Sequence, residues 1–159
     1  MKKIGIFIAI LAVAAVLMPS CSEFSKQKAD TTYATIEGEW HMVSYSGEMS
    51  ENIDLYVKFN ADRTFVEYQK LRFPYFVKYA GQYSITDKVL TGMYDDNTPF
   101  NSSYNVEFDS DNTRLTLSSV EYPDDITVFA REAIPSGVTD GAKNLTTRGE
   151  EVYNVKKFF

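Results

Sequence analysis

Leu55-Tyr56-Val57-Lys58-Phe59-Asn60-Ala61-Asp62-Arg63-Thr64-Phe65 reads as a strand, a tight turn and the start of a second strand. Side chains along a strand alternate with a period of two. Leu55, Val57 and Phe59 therefore share one face, and Tyr56 and Lys58 take the other. One apolar face and one wet face is the mark of an antiparallel sheet packed on one side only. Asn60-Ala61-Asp62-Arg63 supplies the short polar residues that let a chain reverse on itself.

Working outward, the same pattern recurs. Upstream lies Ile36-Glu37-Gly38-Glu39-Trp40-His41-Met42-Val43, with the only Trp in the chain. Eight runs in all have strand composition, rich in β-branched and aromatic residues and separated by turn residues. They cover Gly38–Ser46, Leu55–Asn60, Thr64–Leu71, Val77–Ile85, Val89–Tyr94, Ser103–Asp109, Arg114–Ser119 and Ile126–Ala133. Tyr104, Val106 and Phe108 alternate with Asn105 and Glu107, and Leu115 and Leu117 with Arg114, Thr116 and Ser118. No helical stripe interrupts them, so a βαβ fold is not expected.

The connections sort the strands further. The second, fourth and sixth are tight: Asn60–Arg63, Thr86–Lys88 and Ser110–Thr113. The others are longer or more aromatic: Gly47–Asp54, Arg72–Phe76, Asp95–Ser102 and Val120–Asp125. In an up-and-down meander alternate connections share an end, which gives one plain end and one elaborated end. The expected fold is an all-β, eight-stranded antiparallel up-and-down barrel with a short C-terminal tail. Closure removes the exposed edges that would template aggregation. An open meander or a two-sheet sandwich is the alternative.

The chain has 159 residues, which suits one domain. Lys2 and Lys3 precede an apolar run from Ile4 to Leu17. That run falls short of the ~20 residues of a bilayer span and fits a signal-peptide core. Leu17-Met18-Pro19-Ser20-Cys21 follows and resembles a lipobox. The resemblance implies removal of residues 1–20 and lipidation of Cys21. Each buried CH₂ adds about 0.8 kcal/mol to membrane anchoring, so several acyl chains hold a protein firmly. Residues 21–35 are polar and read as a flexible tether reaching on the order of 20 Å. Ser22 after the Cys is similar to the sorting pattern of Gram-negative lipoproteins destined for the outer membrane, with the protein facing the periplasm or the cell surface.

Loss of Lys2 and Lys3 with the leader leaves 14 basic against 22 acidic residues, a formal charge of −8. That balance disfavours nucleic acid, whose phosphates require a basic patch. Cys21 is the only Cys, so the chain has no internal disulfide.

Gly38-x-Trp40, the Leu55–Phe65 stretch, Gly81-Gln82-Tyr83-Ser84-Ile85 and Leu115-Thr116-Leu117 resemble the bacterial lipocalin-like domains of secreted lipoproteins. The resemblance covers residues 36–134. It implies a calyx-like barrel with the first-strand Trp packed at the closed end. Residues 135–159 depart from it. Classical lipocalins place a definite helix after the barrel, whereas here Val138–Phe159 is ambiguous: Leu145–Glu151 can make a turn of helix, and Val152–Phe159 a short strand or a packing arm.

Candidate chemistry is sparse. His41 is the only His, which excludes a multi-His metal site, and no catalytic residue, metal site or cofactor is expected. Ser44, Ser46, Ser118 and Ser119 lack a nucleophile-elbow motif. Asp95 with Asp96, and Glu121 with Asp124 and Asp125, admit three readings: a solvated acidic rim, a Ca²⁺ site, or a carboxylate pair for glycoside hydrolysis. Only the first needs no further spacing signature.

Among the eleven Tyr and eleven Phe, Phe73, Tyr75, Phe76, Phe100 and Tyr122 lie in or beside the long connections. They are the expected ligand-binding residues at the open end, unless they fold inward and plug the barrel. The expected role is a lipid-anchored envelope protein that binds a small amphipathic molecule or a glycan there. The alternative is a solid barrel whose loops contact another envelope protein.

Overall fold

A computed structural model of the chain describes residues 35–46, 53–71, 73–144 and 156–159. The leader, Cys21, most of the tether and the expected turn at Leu145–Glu151 lie outside the described residues. The described residues belong to one compact unit, Tyr33–Phe159.

Eight strands form the barrel: β1 (Gly38–Tyr45), β2 (Asp54–Phe59), β3 (Thr64–Lys70), β4 (Val77–Thr86), β5 (Val89–Tyr94), β6 (Tyr104–Phe108), β7 (Arg114–Ser119) and β8 (Ile126–Arg131). Each pairs antiparallel with the next, and β8 pairs with β1 to close the ring. The open alternatives are thereby set aside. A register shift between Met42 and Ser44 bends β1 against β8 and leaves Val43 exposed.

The two ends differ as expected. At the tight-turn end each turn is stitched to a later segment. Tyr83 N–H donates to the Arg63 carbonyl, Val106 N–H to Lys88 and Arg131 N–H to Thr113, each at 2.8 Å. Trp40 is fully buried here, and its indole N–H donates to the Ile36 carbonyl at 2.7 Å. The Arg131 guanidinium lies 4.1 Å from the indole and donates to the carbonyls of Glu37 and Asn112. Gly38 adopts φ +129° beside it, and Arg131 Nη1 lies 2.4 Å from where a Cβ would stand. At the other end Val120 N–H donates to the Ser103 carbonyl at 2.8 Å and Ser46 Oγ to the Asp124 carbonyl at 2.6 Å.

One seam is thin. β5 and β6 pair only at Val89↔Asn105 and Leu90↔Tyr104. Beyond that point the connection folds back on β5. Tyr94 N–H donates to Thr98 at 2.8 Å, and Phe100 N–H donates to Gly92 at 3.0 Å.

In the tail a short helix, α1 (Ser136–Gly141), begins directly after Pro135. Proline is tolerated at a helix start, where the missing N–H is not needed. A short β9 (Lys143–Asn144) then pairs parallel with Val77–Lys78, the part of β4 that β5 does not reach. Lys156–Phe159 returns into the barrel as a packing arm, with Phe158 and Phe159 in the core.

Candidate functional site

The site lies inside the elaborated end and begins with the alternation of β3. Phe65, Glu67 and Gln69 all point inward and are buried, while Thr64, Val66, Tyr68 and Lys70 take the other face. Two of the three inward positions are polar. Glu67 is 0 % exposed and Gln69 1 %. Pairing of β3 with β4 sets Tyr79 directly across from Glu67. Tyr94, the last residue of β5, donates its hydroxyl to Glu67 Oε2 at 2.9 Å.

Lys156–Phe159 fills the space above this cluster. The barrel grips its main chain with side chains. Gln69 Nε2 donates to the Lys156 carbonyl at 2.9 Å, and Asn101 Nδ2 to the Lys157 carbonyl at 3.1 Å. Phe159 N–H donates to the Tyr94 hydroxyl at 3.1 Å. The Phe159 ring stacks on Phe100 with centroids 5.0 Å apart and is surrounded by Phe59, Phe65, Tyr104 and Phe129. Phe158 packs edge-on to Tyr45. The Lys157 ammonium pairs with Asp96 and sits 4.4 Å from the Tyr94 ring centroid.

Burial dominates the electrostatics. Loss of solvent pushes Glu67 up to about 7, against opposing pulls from the Tyr94 hydrogen bond, the Phe158 main chain and Lys157. Tyr79 is pushed up to about 12, first by burial and then by the nearby charges of Glu67 and Asp96. Asp96 is held down at about 2, chiefly by its bond to Lys157. Glu67 Oε1, Gln69 Oε1 and Tyr79 OH find no hydrogen-bond partner among the described residues. Such atoms are uncommon in protein interiors.

The five aromatic residues expected at the mouth separate. Phe100 turns inward at 8 % exposure, packed on Phe65, Tyr94 and Tyr104. Gly92 makes room for it, because a Cβ there would meet the Phe100 ring at 2.3 Å. Phe73 stacks on Tyr75 at 5.0 Å, and the Lys143 ammonium sits 4.0 Å from the Tyr75 centroid. Phe76 packs edge-on to Tyr56. Tyr122 is 63 % exposed. Glu67, Gln69, Tyr79 and Tyr94 were not among the sequence candidates. Their signal is the inward phase of β3, where a carboxylate and an amide follow Phe65 at period two.

The acidic connections are tied to loops. Glu121 accepts from Ser102 Oγ and from Ser103 N–H, and Asp96 is paired with Lys157. Among the described residues no group of three His, Cys, Asp or Glu side chains is placed to hold a metal ion. His41 points outward, with its ring nitrogens 3.1 Å from Asp54 and 3.0 Å from Glu132. These partners come from beyond its own strand, so reading along the strand missed them.

A recess of about 800 Å³ lies at the tight-turn end, walled by Arg63, Tyr83, Lys88, Val106, Phe108 and Asp109 among others. It is open, and charges of both signs line it. It carries no buried polar group of the kind found around Glu67, so the weight of the chemistry rests at the opposite end.

A closed antiparallel barrel of eight strands has an interior that side chains fill or that holds one small ligand. Residues 36–117 match the family model for the lipocalin-like domain, and the chain belongs to that family. The match stops short of β8, the strand that closes the barrel. No curated protein matches the chain.

Proposed function

We propose that this is a lipid-anchored envelope protein, held in the outer membrane by acyl chains on Cys21, that binds a small amphipathic molecule through the elaborated end of its barrel. One observation carries the reading. Lys156–Phe159 already occupies that end as a two-ring amphipathic segment, with its main chain held by Gln69, Asn101 and Tyr94. An interior that admits this segment has the shape and the polar anchors for a ligand of similar character. A glycan fits less well, because rings rather than paired hydroxyl partners line the space.

The second reading is an interaction module with a solid barrel. The complete burial of Phe159 favours it, as does the exposed Tyr122. Native mass spectrometry of the protein from its own host separates the two: bound small-molecule mass supports the first, and its consistent absence the second. Cys21→Ser is expected to release the protein from membranes, and unchanged partitioning would sink the anchor. For the loops, Tyr75→Ser is expected to weaken binding while Asp87→Ala, at the tight-turn end, leaves it unchanged.

A further inference from the structure

We propose that Glu67, Gln69 and Tyr79 form a recognition site for a small aromatic amine, which binds in place of the Lys156–Phe159 segment. This rests on the reading that ligands enter through the elaborated end, and it names their class.

The first observation is the set of orphaned atoms. A buried carboxylate is costly, and leaving one of its oxygens without a donor adds to the cost. A leucine at 67 would pack the same space without that penalty. Instead the inner face presents Glu67 Oε1, Gln69 Oε1 and Tyr79 OH, all without partners among the described residues. Gln69 Oε1 is an acceptor only, Glu67 Oε1 is one once its carboxyl is ionised, and the Tyr79 hydroxyl accepts as well as donates. Their complement is a compact group rich in N–H donors. A protonated primary amine carries three such donors and a positive charge, and charge-assisted hydrogen bonds are the stronger kind.

The second observation is the character of the resident segment. Lys157 carries an ammonium group over the face of Tyr94, and two aromatic rings follow it into the barrel. A cation beside an aromatic ring is thus already seated here, with Asp96 as its counter-charge at the rim. An arylalkylamine reproduces that pairing in one molecule, and its ring suits the space between Phe100, Phe129 and Tyr104 that Phe159 fills. An aromatic acid would meet the carboxylates of Glu67 and Asp96. A neutral aryl alcohol would bring a single donor.

The test is calorimetric titration of the full chain with 2-phenylethylamine, 2-phenylethanol and 3-phenylpropionate. The amine is expected to bind at least about tenfold more tightly than the alcohol, the scale of one charge-assisted bond, and the acid not to bind. Lys157→Ala loosens the resident segment, leaves the Glu67, Gln69 and Tyr79 side chains in place, and is expected to tighten the amine several-fold. Glu67→Gln is expected to reduce the amine to the alcohol's affinity. Trypsin cleavage after Lys156 is expected to rise when the amine is bound, and unchanged cleavage would overturn displacement of the segment. Equal binding of amine and alcohol would overturn the amine class while leaving the binding reading intact. Failure of every aryl compound to bind either the wild type or Lys157→Ala would overturn both. An amine preference that survives Glu67→Gln would remove Glu67 as the anchor.

Discussion

The main-chain N–H of Phe159 donates to the hydroxyl of Tyr94 inside the barrel, at 3.1 Å. That hydroxyl passes its own proton toward Glu67 Oε2 at 2.9 Å. The packing arm and the buried carboxylate therefore share one hydrogen-bonded relay, and a change at either end is felt at the other.

Phe159→Ala removes the ring that Phe59, Phe65, Phe100, Tyr104 and Phe129 surround. Truncating a large buried aromatic costs roughly 3–5 kcal/mol. The lower end of that range is expected, because the segment can withdraw rather than leave a void. Chemical denaturation measures it, and a loss under about 1 kcal/mol would show that the ring does not belong to the core.

Glu67 gives the barrel a pH dependence of known sign. Its folded value is raised from 4.5 to about 7, first by burial. The folded state then holds a proton that the unfolded state has lost, so stability is full below 4.5 and falls as pH rises through about 7. The groups facing Glu67 are Tyr79 from β4, Tyr94 from β5 and Lys157 from the arm. Neither tyrosine ionises in this window, both being pushed upward. The upper limit of the effect is about 3 kcal/mol. Glu67→Gln is expected to flatten this part of the profile and to be more stable than wild type at pH 8. Parallel urea melts at pH 5 and pH 8 check it, and a wild type as stable at pH 8 as at pH 5 would refute the assignment.

Trp40 and His41 are adjacent on β1 and face opposite ways. Trp40→Ala is expected to cost about 3–5 kcal/mol, since the ring is wholly buried under Arg131. His41→Ala removes partly exposed contacts to Asp54 and Glu132 and is expected to cost about 1 kcal/mol or less. Equal losses would mean that β1 has slipped by one residue.

Gly92→Ala places a methyl group on the Phe100 ring, whose three nearest atoms lie 2.3–2.8 Å from the new Cβ. Overpacking of this kind costs roughly 1–3 kcal/mol. Phe100→Leu in the same chain should recover much of the loss, and a double-mutant cycle measures the coupling. Additive losses would show that the two positions do not touch.

All eight strands were legible because each buries one face, and burial imposes period two on the sequence. The two-ended plan was legible from turn composition alone. The tail was not. Its helix at Ser136–Gly141 is short and has no apolar stripe beyond Val138, so local pattern carried little signal. Phe158 and Phe159 pack against strands far away in sequence, and only tertiary structure brings them there. Phe100 was expected at a rim because it lies in a connection. The backfold onto Gly92 turns it inward, and a connection's composition does not encode that turn. Glu67 escaped notice because charge usually signals solvent, whereas the alternation around it already assigned it to the inner face.

The thin contact between β5 and β6 makes the barrel resemble a cuff with a single clasp. Every other junction between the eight barrel strands is a longer ladder, so strain within the barrel is released first where Val89 and Leu90 meet Asn105 and Tyr104. Amide exchange at Asn105 and at Phe100 should outpace that of β2 and β3. Parting at this clasp also unseats Phe100, and with it the face on which Phe159 rests. The way into the interior and the first step of unfolding would then share one movement, stopped early in one case and carried through in the other.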